Sequence, residues 1–303
     1  MGKLDRIPAG VYKVLIVVAT MIWGYSFVVM KDAVEVLGPA WLLGLRFTAA
    51  GIILFLVLCK RVVRVMSPKV LGMGIVLGIL DFSAFLAQTV GLEHTTPGIN
   101  AFLTATYCVI VPFLWWLVAH RRPTAFNVGA AVLAVAGIWL VSSGGAGFRM
   151  GLGEGLTLLC AVFFAIHIVC TSKFSRLADV LVLTVVQFLA EGLCGLALGA
   201  ATAPLPAGAL ADPTIIGQLA FLVLFASIVA FGIQNVSLAY VPPAQASLLL
   251  SLESVFGVVF SILLYGEQMT VPLVVGFALI FVAIVVSETF PLKKKGEQAD
   301  GAQ

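Results

Sequence analysis

Charge is what this sequence has least of. Lys, Arg, Asp and Glu make up 10% of its 303 residues, and hydrophobic residues 61%. Soluble domains sit near about 25% and about 45–50%. A soluble fold of this length would have to expose apolar patches far beyond the roughly few hundred Å² that monomers tolerate. A bilayer removes that problem. Catalytic constellations are missing as well. There is no HExxH, no glycine-rich phosphate loop, no Walker motif and no acid-rich metal cluster. The three histidines, His94, His120 and His167, lie on different segments. An enzyme, a resident metal or cofactor, and ATP-driven pumping by this chain alone are therefore not expected. Cys59, Cys108, Cys160, Cys170 and Cys194 are odd in number, lack CxxC spacing and read as core or lipid-facing residues. The formal net charge of +3 is spread over short loops and leaves no nucleic-acid footprint.

What is present is a series of long apolar runs. A spanning helix needs about twenty mostly apolar residues. That ruler gives ten spans, at 12–30, 38–59, 70–91, 98–119, 125–143, 152–172, 180–200, 215–238, 243–264 and 271–289. The first lacks a small-residue cleavage site and is expected to stay as a helix. Gly38-Pro39, Ser67-Pro68, Thr96-Pro97, Arg122-Pro123 and Pro242-Pro243 punctuate the runs as turns. The expected fold class is an all-α membrane protein of ten transmembrane helices in one bundle.

Orientation follows from the basic residues. With the N-terminus inside, the inner segments hold Lys3, Arg6, Lys13, Lys60, Arg61, Arg64, Lys69, Arg121, Arg122, Lys173, Arg176, Lys293, Lys294 and Lys295. The outer segments hold Lys31 and Arg149, and Arg46 lies within a helix. Both termini are thus expected in the cytoplasm, in a multi-pass protein of the inner cell membrane. Lys293 to Lys295 read as a contact with anionic lipid.

The chain also repeats itself. At a constant offset of 146, Gln88 falls on Gln234, Val90 on Val236, Pro97 on Pro243, Leu103 on Leu249, Val109 on Val255 and Thr124 on Thr270. The Gln and Pro pairs carry most weight, because Leu and Val match easily by chance. Each repeat holds five helices, an odd number, so the halves must insert with opposite orientation. Inverted repeats are a recurring design of secondary transporters, with the solute near the midplane. The division expected is a first repeat at 11–143, a glycine-rich linker at 144–151, a second repeat at 152–289 and a polar tail at 290–303.

Local motifs agree. Trp23-Gly24-Tyr25-Ser26-Phe27 followed by Lys31, Gly38-Pro39, Leu45-Arg46-Phe47, and the stretch from Gln234 to Tyr265-Gly266-Glu267-Gln268-Met269-Thr270 resemble the EamA branch of the drug/metabolite transporter superfamily. The matching end of the first repeat reads Ala119-His120-Arg121-Arg122-Pro123-Thr124, without the Gly-Glu pair. The resemblance spans about residues 11–289. It implies a ten-helix inverted repeat and secondary transport, often export, of amino acids or other small metabolites. It does not identify the solute.

Charges at the centre of a spanning helix cost about 2.5–3.5 kcal/mol on insertion scales and are functional candidates by default. Arg46, Asp81, Glu191 and Glu253 are such charges, and His167 joins them. Helical spacing adds stripes: Asn100, Thr104 and Tyr107; Gln187, Glu191 and Cys194; Asp81 with Gln88, and their repeat equivalents Ser227 with Gln234. Glu253 is the repeat equivalent of Tyr107. Trp23 is placed to line a cavity. Lipid cannot satisfy these groups, so the stripes are expected to face one central cavity. The substrate-binding or proton-coupling set is Trp23, Arg46, Asp81, Gln88, Asn100, Thr104, Tyr107, His167, Glu191, Gln234 and Glu253. Glu253 or Asp81 would bind an amine or carry a coupling proton, and Arg46 could face a carboxylate. Structural readings stand beside these. Arg46 and Glu191 could form an ion pair, since their helices are repeat equivalents. Asn100, Thr104, Gln88 and Gln234 could be interhelical glue. Lys31 is expected to snorkel at an outer helix end. Gly74 and Gly78 suit close helix packing more than a homodimer, which stays open. The partners expected are a small-molecule substrate and the lipid bilayer, with a coupling proton as a further candidate. A nucleotide-sugar, sugar-phosphate or drug carrier of the same fold is the near rival, and a membrane-embedded enzyme or a sensor the distant one.

Overall fold

Prolines and short capping side chains set the helix boundaries. The computed structural model describes residues 8–119, 122–143, 150–237 and 249–289. Helix α1 (Ala9–Leu37) stops at Gly38, whose φ of 72° favours glycine, and Pro39 opens α2 (Pro39–Val65). Ser67 and Thr96 cap α3 (Pro68–Glu93) and α4 (Pro97–Ala105), each just before a proline. Then come α5 (Tyr107–Ala119), α6 (Ala125–Ser143), α7 (Leu152–Phe174) and α8 (Val180–Thr202), the last capped by Asp179. Helix α9 (Pro213–Phe221) runs through a π-helical stretch, Leu222–Val229, into α10 (Ala230–Ser237). Helix α11 (Leu252–Phe260) leads into a second π-helical turn, Ser261–Tyr265, and α12 (Val271–Thr289) ends the described chain.

Among the described residues there is no strand, and seven helical runs are long and apolar enough to cross a membrane. Shorter apolar helices cover Ala125–Val141, Leu252–Tyr265 and Val271–Ser287. Large apolar side chains such as Val57, Val63, Val132, Leu193, Leu263 and Val271 are exposed on five different helices. A bundle with that exterior belongs in a bilayer.

The run 98–119 is one apolar span, Pro97–Leu117, whose helix is interrupted at Thr106, where the hydroxyl donates to the Leu103 carbonyl. The first helix is longer than 12–30. Lys31 does not end it, because the side chain is buried and satisfied within the bundle. The turn at Pro242-Pro243 and residue His120 lie outside the described residues, as do the 144–149 part of the linker and the tail.

Packing is tightest between α2 and α8. A Cβ on Gly195 would fall 2.5 Å from the Gly44 nitrogen, and one on Gly44 2.6 Å from the Leu196 nitrogen. Small residues let the two backbones touch, the usual way to associate helices where no hydrophobic force operates. Helix α6 pairs with α12, α3 with α7 and α8, and α1 with α10 and α11. The connections at Gly38, His94–Thr96 and Gly266–Thr270 gather at one end of the bundle. Arg61 of α2 meets Asp179 at the other, 2.6 Å away and half-exposed.

Candidate functional site

Most of the polar residues singled out in the sequence are buried, and they fall into three groups. The first lies where α3, α4 and α7 meet. Gln88 donates to the Thr104 hydroxyl at 3.0 Å, and Asn100 donates to the Gln88 carbonyl at 3.2 Å and to the Thr157 hydroxyl at 2.8 Å. Thr104 also approaches the Cys160 sulfur at 3.9 Å. These side chains hold three helices together, which is the glue reading.

The second group surrounds Asp81. Its Oδ2 accepts from the Gln187 amide at 2.6 Å, and its Oδ1 lies 3.8 Å from His167 Nδ1. The Glu191 carboxyl faces it from α8. Asp81 and Glu191 are both fully buried. Neither Glu191 oxygen nor Asp81 Oδ1 meets a hydrogen-bond donor.

Arg46 is buried next to this group, yet it forms no ion pair with Glu191 or any other carboxylate among the described residues. Its Nε donates to Ser227 at 2.8 Å and a terminal nitrogen to the Met30 sulfur at 3.3 Å. The guanidinium carbon lies 4.6 Å from the Phe47 ring centroid and 5.1 Å from that of Phe85. Helices α2 and α8 do pack. Their contact stripe, however, runs along Gly44, Thr48 and Gly51. Two residues from Gly44 is over half a turn, so Arg46 points elsewhere.

The third group is Glu253 with the Tyr107 hydroxyl facing its carboxyl, each 8% exposed. That slight exposure separates it from the sealed Asp81–Glu191 pair. Phe164 and Phe85 extend an aromatic wall between the groups, with Phe164 edge-on to Phe85 at 5.0 Å and 6.4 Å from Tyr107. Trp23, half-buried on α1, donates its indole N–H to the Ala226 carbonyl at 2.8 Å and packs edge-on against Phe231. The π-helical stretch makes that carbonyl available: the Ala230 N–H bonds Phe225 and Ser227 and skips Ala226. Gln234 is half-buried on α10.

Two residues depart from the sequence reading. Lys31 does not snorkel. It is 6% exposed and its ammonium donates to the carbonyls of Leu92 and Glu93 at 2.7 and 3.1 Å, capping the C-terminus of α3. Glu267 has no site role in the sequence beyond its place in a motif, yet it is a latch. Its carboxylate accepts from the Thr96 and Ser261 hydroxyls and, at 3.1 Å, from the Gly98 N–H at the start of α4. Gly266, with φ 74°, turns the chain so that Glu267 can reach in. A Gly before an acid just past an apolar run is the signal that could have found it.

Among the described residues no group of His, Cys, Asp and Glu is arranged to hold a metal. An apolar exterior, many spanning helices and buried polar groups drawn from several of them define a multi-span membrane protein. A family model described as the EamA-like transporter family matches residues 11–143 and 151–289. The chain belongs to this family. A transporter of Archaeoglobus fulgidus, itself called uncharacterized, is 30% identical over 266 residues, 88% of this chain and 82% of its own. The S-adenosylmethionine/S-adenosylhomocysteine transporter of Chlamydia trachomatis is 25% identical over 194 residues, 60% of this chain and 58% of its own. A crystal structure with 16% identity superposes with a TM-score of 0.66 over 92% of this chain and 98% of the other, a likeness of fold. The family and these relatives are named as transporters, not as enzymes.

Proposed function

We propose that this protein is a secondary transporter that moves a small metabolite, an amino acid or a related solute, across the inner membrane by alternating access, in the export direction. Ten spans form two inverted repeats, 11–143 and 152–289, joined by the linker at 144–151, with both termini and the 290–303 tail in the cytoplasm. The helix pairings support the inversion. Under the repeat, α2 on α8 and α6 on α12 map onto themselves. The contact of α3 with α7 maps onto that of α1 with α10, and α5 with α7 onto α11 with α1. The breaks at Thr106 and Ser251 also fall within one residue of the 146 offset.

The observation that carries the reading is the burial of Arg46, Asp81, His167, Glu191 and Glu253 inside a bundle whose exterior is apolar. Such groups persist in a membrane protein where they serve a pathway. Glu253 with Tyr107 suits a solute cation, and Arg46, which no carboxylate neutralises directly, suits a solute carboxylate. Amino acids carry both groups. S-adenosylmethionine does too, and the Chlamydia relative makes it an early solute to try. Sugar phosphates fit less well, because Lys31, also buried, is spent on backbone carbonyls.

Counterflow in proteoliposomes tests the reading, with pooled labelled amino acids and S-adenosylmethionine, with and without a pH gradient. Uptake of one solute that Glu253→Gln abolishes supports it. Uptake untouched by Glu253→Gln removes Glu253 from the solute site.

A further inference from the structure

Two of the three orphaned oxygens around Asp81 have one common remedy. Asp81 meets its partners from one side, where the Gln187 amide donates to Oδ2 and His167 stands near Oδ1. Glu191 has no donor at either oxygen. A buried carboxylate without donors is costly, and two facing each other in a dry seam are costlier still. A proton on Glu191 resolves both problems. It makes Glu191 neutral and supplies Asp81 Oδ1 with the hydrogen bond it lacks.

We propose that Glu191 carries a proton donated to Asp81, and that this pair is the coupling-proton site of the transporter, separate from the solute site at Glu253. The proposal rests on the transport reading above. Sterics argue that no solute reaches the pair. One turn along α3, a Cβ on Gly78 would lie 2.7 Å from both the Ala190 Cβ and the Gln187 carbonyl. Two turns along, one on Gly74 would lie 2.5 Å from Val186. Helices α3 and α8 are in backbone contact there, which leaves room for a proton and none for a metabolite.

The groups facing the pair are few. Helix α2 presents Arg46, α7 presents His167 and Cys160, and α8 presents Gln187 and Cys194. When the proton leaves Glu191, Arg46 is the cation placed to answer the new charge. Its guanidinium is held by Ser227, in the π-helical stretch between α9 and α10. Deprotonation of Glu191 would thus draw Arg46 of the first repeat away from Ser227 of the second, a physical route from proton to rocking.

Infrared spectroscopy of the full-length protein in lipid tests where the proton sits. The wild type should show the carbonyl stretch of a protonated carboxylic acid. Glu191→Gln should remove that band, Asp81→Asn should shift its frequency, and Glu253→Gln should leave it in place. The amide that Glu191→Gln introduces can still donate to Asp81, so this variant preserves the contact and should fold. In proteoliposomes with labelled S-adenosylmethionine as the probe, an imposed pH gradient should stimulate wild-type accumulation and have no effect on Glu191→Gln. A band that survives in Glu191→Gln, or gradient stimulation equal to wild type, overturns the proposal. The infrared arm needs no solute. A wild type that moves none of the probe therefore counts against the solute reading alone, while the band still decides the proton.

Discussion

Replacing Glu267 by Gln keeps the shape of the latch and removes its charge. The carboxylate takes the Thr96 hydroxyl on one oxygen, and the Gly98 N–H and the Ser261 hydroxyl on the other. Hydrogen bonds to a charged group contribute about 1.5–3 kcal/mol each and neutral ones about 0.5–1.5 kcal/mol. The Gln oxygen can keep the Gly98 and Ser261 donors as weaker bonds but its amide nitrogen cannot accept from Thr96, so the change costs about 3 kcal/mol or more, and the field at the α4 N-terminus adds about 0.3–1 kcal/mol. Since about 1.4 kcal/mol is a factor of ten, the population in which this end has parted should rise by roughly several hundredfold. Hydrogen exchange of the backbone amides from Gly98 to Phe102 reads that population. The control is Glu154→Gln, whose carboxylate meets Thr95 at 3.3 Å in the same region. It should raise exchange less than about tenfold, as loss of a single partly exposed contact does. Exchange unchanged in a folded Glu267→Gln protein would refute the latch.

Other perturbations follow from the same geometry. Lys31→Met strips the α3 C-terminus of its cap and should lower stability by about 2 kcal/mol; thermal unfolding in detergent checks it, and an unchanged midpoint would restore the snorkelling view. Gly195→Leu forces a side chain into the Gly44 backbone, whereas Gly217 has nothing within 4 Å of an added Cβ. Overpacking typically costs about 1–3 kcal/mol, so Gly195→Leu should lower the unfolding midpoint and Gly217→Leu should not. Equal midpoints would mean that α2 and α8 are not in backbone contact. Arg46→Lys keeps the charge but loses the planar face over Phe47 and Phe85 and the Nε donor to Ser227. Exchange of the transported solute should fall at least about tenfold, the equivalent of one charged hydrogen bond; wild-type exchange would place Arg46 outside the pathway.

The spans are legible in the sequence because a bilayer imposes a simple rule, about twenty apolar residues per crossing. So is the burial of the polar residues, since apolar neighbours leave a charge nowhere else to go. Their partners are less legible. Arg46 and Glu191 sit on helices that do pack, yet a two-residue offset from the glycine stripe turns the guanidinium toward Ser227 and two phenyl rings. That direction depends on helix rotation, which spacing alone does not fix. Lys31 misleads because a lysine near a helix end usually reaches water. Here the α3 C-terminus lies beside it and offers two carbonyls instead. The π-helical stretch that frees the Ala226 carbonyl for Trp23 leaves no mark in a run of apolar residues such as Leu222 to Ala226.

The repeat proposed above makes one asymmetry between the two ends of the bundle readable. At the 146 offset the latch has no twin, for each of its side chains is replaced. Glu267 corresponds to Arg121, Ser261 to Trp115 and Thr96 to Pro242. An arginine, an indole and a proline ring cannot rebuild a carboxylate that accepts two hydroxyls and an N–H. The end at Gly38, His94 and Gly266 is therefore held by a buried carboxylate, with Lys31 and Glu154 tying the same α3–α4 turn. The opposite end is closed by other means, among them Asn127 donating to the Ser287 carbonyl and hydroxyl between α6 and α12. In a two-state cycle, only interactions present in one state and absent from the other set the balance. In the alternating-access cycle proposed above, a latch that joins the two repeats at one end alone biases the resting protein toward closure at that end.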